Sequence, residues 1–135
     1  MRDVLAGRGG TFDMKAHALV PVINIARWAA LSVGSKELST PERLRAAAGS
    51  AMLPDDQSET LIEVYEVLQR LRLRYQLQQR ANGDRPSDVL SMHVLSPIDR
   101  SVIAQAVREV SSIQKRMGNI SQYVPSEEWG HSPAT

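Results

Sequence analysis

The sequence predicts an all-α fold, an antiparallel helical bundle of three long helices and one short one. Apolar residues recur at spacings of three and four along most of the 135 residues. Hydroxyl and proline start signals alternate with glycine stops and divide the chain into four helical segments. Aromatic residues make up only 4% of the chain, while Ala, Leu, Val, Ile, Gln, Arg and Glu dominate, a composition suited to helices.

The first segment runs from Met14 to Val33 and is apolar or small at nearly every position. Its polar residues His17, Asn24 and Arg27 project within roughly 80° of one another at about 100° per residue, so one polar strip is expected on a buried helix. Pro21 removes an amide donor and crowds the preceding turn, which predicts a kink near Ala18. Residues 1–12 carry three glycines and little periodicity, and are expected to be a flexible leader or linker ahead of a domain over residues 13–123.

Ser39-Thr40-Pro41-Glu42 combines a hydroxyl cap, a first-turn proline and an early acid, and opens the short helix that Gly49 closes. Pro54-Asp55-Asp56 opens the longest helix, which is expected to reach Ala81 and stop at Asn82-Gly83. Leu61, Val64, Leu68, Leu71 and Tyr75 lie on one arc of this helix, and Ile62, Leu73 and Leu77 on a nearly opposite arc. Contact from two sides is therefore expected. After a polar loop from Asn82 to Ser91, Ser96 caps a last helix running to about Gln122. Its predicted buried stripe is Ile98, Val102, Ala106, Val110, Ile113, Met117 and Ile120, with Arg100, Arg108, Ser111 and Lys115 on the far side. Residues 124–135 are expected to form a flexible tail in which Trp129 is the residue able to dock.

Composition excludes several classes of function. Sixteen basic against fifteen acidic residues give a net charge of +1, too little for an overall field that attracts nucleic acid or an anionic membrane. The absence of cysteine excludes disulfides, thiolate metal sites and a thiol nucleophile. No apolar run is long enough to span a bilayer or to act as a secretory signal, so a cytoplasmic protein is expected. Phosphate-loop, nucleophile-elbow and His-Glu-x-x-His patterns are missing, as is an Asp-x-Asp pair beside a glycine turn. Catalysis by this chain alone, a metal site and a bound cofactor are not expected.

Two polar clusters remain. Arg70 and Arg74 occupy one strip between the apolar arcs of the longest helix, and Arg72 occupies the other with Tyr65, Gln69 and Gln76. Arg72 and Gln76, with Arg27 and His17, could hold a phosphate or carboxylate through forked hydrogen bonds, or the arginines could pair with acids along the surface. Asp55-Asp56 is explained by the helix dipole.

Four segments in order resemble the nucleotidyltransferase substrate-binding domain family, also called the C-terminal DUF294 domain. They are residues 13–21 with Ala26-Arg27, residues 40–44, residues 68–77, and Leu95 through Arg100, and the likeness extends from Thr11 to Tyr123. The resemblance implies a non-catalytic helical module that closes over a nucleotidyltransferase catalytic domain, in cis or in trans, and helps to hold an acceptor, a nucleotide or small anionic substrate. Chains of this family often carry cyclic-nucleotide-binding and CBS modules, which implies signalling. Candidate substrate-binding residues carried over by position are His17, Arg27, Arg72, Arg74 and Gln76, while Ser96 and Asp99 match the start of the last helix. Tyr75 stands where a histidine is common in the family. A rival expectation is an interaction module that forms a homodimer or docks a regulatory partner through an apolar arc.

Overall fold

A computed structural model describes residues 10–131. The protein is mostly helical, with α1 (Val20–Ser32), α2 (Thr40–Ala47), α3 (Asp55–Ala81) and α4 (Pro97–Tyr123). A two-stranded antiparallel sheet accompanies them, β1 (Thr11–Asp13) on β2 (Val89–Ser91), with Phe12 opposite Leu90. The all-α expectation therefore holds for the bulk of the chain and misses this sheet. Three-residue strands interrupted by polar positions are too short for their alternation to register against the surrounding glycines and serines.

Of the expected leader, residues 1–9 lie outside the described residues, but Thr11 and Phe12 do not fit it. Phe12 is fully buried, and Met14 continues the pairing by donating to the Asp88 carbonyl at 2.8 Å. Asp13 then accepts from the Ala16 amide at 2.9 Å and caps the helical segment that follows.

Pro21 acts where expected, but through a π-turn. Lys15–Leu19 form a π-helical segment in which the Val20 N–H reaches back five residues to the Lys15 carbonyl. The wider turn adjusts the carbonyl ladder just before the residue that cannot donate. Helical backbone thus runs from Met14 through to Ser32. This π-segment packs against α3 and α4, whereas α1 packs chiefly on α2, α2 on α3, and α3 on α4.

The capping signals are borne out. The Ser39 hydroxyl accepts from the Glu42 amide at 3.2 Å and that of Ser96 from the Asp99 amide at 3.1 Å. Gly49 and Gly83 close α2 and α3 at φ 84° and 79°, a region costly for side chains other than glycine. The core gathers Phe12, Leu19, Leu44, Leu53, Leu68 and Ile103, all nearly inaccessible. Each large aliphatic chain buried there contributes about 1.5–3 kcal/mol.

Two apolar patterns depart from expectation. On α3 the arc Leu61, Val64, Leu68, Leu71 and Tyr75 is buried, but Leu73 and Leu77 of the opposite arc are each 57% exposed, and Ile62 is only partly buried. On α4 the first two turns are rotated by one position: Asp99, Ile103 and Val107 face inward, while Ile98 and Val102 face solvent. Arg100 accordingly leaves the far side and donates to the Met92 carbonyl at 2.5 Å. Periodicity predicted the reverse because it scores isoleucine above aspartate, and the helix turns to bring Asp99 to its partners on α3.

The tail also docks in part. After a 3₁₀ turn over Ser126–Glu128, Trp129 packs against Trp28 with ring centroids 5.2 Å apart, and its indole donates to the Val124 carbonyl at 2.8 Å. Its own carbonyl accepts from Met52 at 3.1 Å. A Cβ at Gly130 would stand 2.7 Å from the Ser32 carbonyl oxygen, so only glycine fits this approach. Gly130→Ala is expected to release the tail at a cost of about 1–2 kcal/mol. The release would show as a red shift of tryptophan emission in the native state, and unchanged emission and stability would contradict it. Residues 132–135 lie outside the described residues.

Candidate functional site

The polar side chains of α3 are organised by what the following loop and α4 present to them. Arg72 meets Asp88 through a forked pair, Nε to Oδ1 at 2.5 Å and an NH2 nitrogen to Oδ2 at 3.1 Å. Both side chains are largely buried, at 30% and 20% exposure. One turn and two turns on, Gln76 is half-buried and Gln79 clasps Ser87, accepting from its amide at 2.8 Å and donating to its carbonyl at 3.2 Å. Earlier on the same strip, Gln69 donates to the Tyr65 hydroxyl at 2.9 Å. The strip therefore fastens the segment that leads into β2. Because the Asp88 carbonyl also receives Met14, Arg72 is one residue removed from the start of the first helical segment.

Arg74 lies on the other strip, where a terminal nitrogen donates to Asp99 Oδ2 at 2.5 Å. The same carboxylate oxygen accepts from the Tyr75 hydroxyl. Asp99 is buried and Arg74 half-exposed, so one carboxylate at the start of α4 joins a buried phenol to a solvent-facing guanidinium. Burial alone pushes the Asp99 carboxyl up, but donation from Tyr75 and Arg74 outweighs it and holds the group below its ordinary value. Burial first, then the bond to Asp99, raises the Tyr75 phenol. Tyr75 thus supplies a neutral donor at the position where the family resemblance implies histidine.

His17 and Arg27 lie elsewhere. His17 is exposed within the π-segment, its ring 5.7 Å from that of Phe12 and its Nδ1 3.4 Å from the Asp13 amide. The cavity beside it, floored by Ala18, Pro21, Val107 and Val110, is about 20 Å³, room for no more than a water. Arg27 is exposed on α1 about 15 Å further along at 1.5 Å per residue. It lines a groove of about 190 Å³ with Lys36 and Arg43 at the α1–α2 corner. The sequence-predicted residues therefore fall into four places: Arg72 with Gln76 against the loop before β2, Arg74 against the start of α4, and His17 and Arg27 at separate points of the first helical stretch.

A larger groove, about 500 Å³, runs between α3 and α4 and is lined by Glu63, Val67, Val102, Gln105, Arg108 and Glu109. None of the sequence-predicted residues borders it. Among the described residues, no three His, Asp or Glu side chains gather as they would to hold a metal, and no helix is long and apolar enough to cross a membrane.

Sequence reasoning missed Arg116. Its guanidinium donates to Gln57 Oε1 at 2.7 Å, to the Ala51 carbonyl at 3.4 Å and to the Met52 carbonyl, tying α4 to the α2–α3 connection. Desolvation lowers its pKa from the ordinary arginine value. The available signal was its place directly before Met117 on a stripe edge, where a long side chain reaches over the core.

Fold and side chains together define a small helical domain with arginine and amide groups arrayed along its longest helix. The family described as "Putative nucleotidyltransferase substrate binding domain", the C-terminal DUF294 domain, matches residues 2–120, and the chain belongs to it. Membership ties the chain to an accessory, substrate-binding part beside a nucleotidyltransferase domain. No curated protein and no solved structure matches.

Proposed function

We propose that this chain is the non-catalytic substrate-binding domain of a nucleotidyltransferase-type signalling protein, and that its helices form a bundle that closes over a separate catalytic domain to hold a small anionic substrate. The observation that carries the reading is the family match over residues 2–120. The exposed guanidinium of Arg27 and the half-exposed one of Arg74 support it, since both present donors to solvent from a rigid helix.

The geometry decides how the reading is tested. Arg72 is committed to Asp88, so its removal loosens the segment before β2 whatever its part in binding. Arg27 and His17 are exposed and serve as cleaner probes. In the protein assembled with its catalytic domain, Arg27→Gln combined with His17→Asn is expected to lower transfer by about tenfold or more while leaving the melting temperature within about 2 °C. Unchanged transfer at saturating and limiting substrate would sink this assignment. Arg72 is judged against Asp88→Asn: a purely structural arginine predicts equal losses in Arg72→Gln and Asp88→Asn, whereas a substrate contact makes the arginine variant the worse of the two.

A second reading, an interaction module, is favoured by the exposure of Leu73 and Leu77 one turn apart on α3. It predicts that Leu73→Glu with Leu77→Glu abolishes self-association, or docking of a regulatory partner, in light scattering without unfolding the chain. A monomer that assembles equally well with both leucines charged would remove it.

A further inference from the structure

Three cations meet at the corner between α1 and α2 with little to neutralise them. Arg27, Lys36 and Arg43 line the groove of about 190 Å³ there, flanked by Leu31 and Leu38, and Glu37 is the acid among them. Among the described residues none of the three cations is ion-paired with a carboxylate, whereas Arg45 on the same short helix is paired with Glu42 at 2.6 Å. Glu37 engages Arg43 through its backbone, the carbonyl accepting from Nε at 2.8 Å. That bond fixes the plane of the guanidinium and leaves its two terminal nitrogens for another acceptor.

The loop that carries Lys36, between the helices that carry Arg27 and Arg43, is held in place. Gly34, at φ 71°, turns the chain at the end of α1, and the Gly34 and Ser35 amides cap the Leu31 and Ala30 carbonyls at 3.1 and 2.9 Å. The Ser35 hydroxyl then accepts from the Glu37 amide at 3.1 Å. Like charges held together by two helices and the ordered loop between them repel one another unless an anion joins them. Leu31 and Leu38, 68% and 84% exposed, stand beside the cations and offer apolar surface to whatever the anion is attached to.

We propose that this groove binds the phosphate chain of a small phosphorylated ligand, with Arg27, Lys36 and Arg43 taking successive phosphates and Leu31 and Leu38 bracing the organic part. The proposal rests on the substrate-binding reading above and adds to it a place and a ligand class. A chain of two or three phosphates matches three donors better than one carboxylate does, because each cation then meets its own charge.

The test is calorimetric titration of the intact chain with sodium tripolyphosphate and with ATP, at two salt concentrations. Saturable binding that weakens with salt is expected, tighter for ATP than for tripolyphosphate. Lys36→Gln with Arg43→Gln should weaken both by about tenfold or more, while Lys115→Gln, which removes an exposed cation on α4, leaves them unchanged. Should loss of Arg43 perturb the loop, Lys36→Glu alone provides the same readout, since Lys36 is exposed. The proposal is overturned by absence of saturable binding at millimolar probe, by equal binding in the Lys36 and Arg43 variants, or by an equal loss in the Lys115 variant. Binding to phosphatidylglycerol vesicles but to neither soluble probe would equally overturn it and point to a membrane surface. Those outcomes remove the groove alone; the transfer assay in the assembled protein separately decides the accessory role.

Discussion

Asp99→Ala is expected to destabilise the chain by about 2–3 kcal/mol, because it strands a buried phenol without its acceptor and removes a charged hydrogen bond between α3 and α4. Asp99 accepts from the Tyr75 hydroxyl and from Arg74 while its own amide donates to the Ser96 cap. The burden falls on the tyrosine side. Arg74 is 52% exposed, so solvent screens that ion pair and Arg74→Met should cost under about 1 kcal/mol. Tyr75→Phe removes one donor and keeps the ring packed, and should cost about 1 kcal/mol. Urea denaturation of the four proteins measures the series, and an Asp99→Ala no worse than Arg74→Met would show that the carboxylate is not the organising group.

The same network sets the pH dependence. A carboxyl held below its ordinary value in the fold contributes stability that is present above the unfolded-state pKa of about 3.9 and is lost as pH falls through the folded value. Acid loss of stability is therefore expected below about pH 4, and Asp99→Asn should flatten it. The phenol is raised, so its contribution is complete below about pH 10 and is lost as pH rises through the folded value. Tyr75→Phe should remove that alkaline limb and also shrink the acid one, because the Tyr75 hydroxyl is the first of the donors that hold Asp99 down.

Arg116→Ala is the second large effect, expected at about 2–3 kcal/mol. It deprives the Met52 and Ala51 carbonyls and the Gln57 amide oxygen of one shared donor. Met52 also donates to Trp129, so the loss should spread to the docked tail. Lysine at this position cannot reproduce the fork and should recover less than half of the loss. Hydrogen exchange at the Met52 and Leu53 amides, with a denaturation midpoint, distinguishes this from a surface substitution. A change below about 0.5 kcal/mol with unaltered exchange would mean that the guanidinium is replaceable by water.

The four helices, their caps and stops, and the buried arc of α3 were legible along the chain, because each depends on residues within a few positions of one another. Ser39 with Glu42, Ser96 with Asp99, and Leu61 through Tyr75 are all local patterns. The family was legible for the same reason, in four short segments. What lay beyond reach were pairings across long separations. Arg72 and Asp88 are 16 residues apart, Tyr75 and Asp99 24, and Arg116 and Met52 64.

The candidate site suffered most from that limit. An arginine strip reads the same along a helix whether or not an acid lies opposite it, and the acids that pair with Arg72 and Arg74 lie outside α3. The cationic corner of Arg27, Lys36 and Arg43 was likewise invisible, since one residue is on α1, one in the loop and one on α2. The sequence by itself determined where helices begin and end and which family the chain joins. Tertiary structure alone decided the rotation of α4, the sheet under Phe12 and the partner of each arginine, because helix formation follows local backbone and capping energetics while charge pairing depends on which elements are brought within a few ångströms.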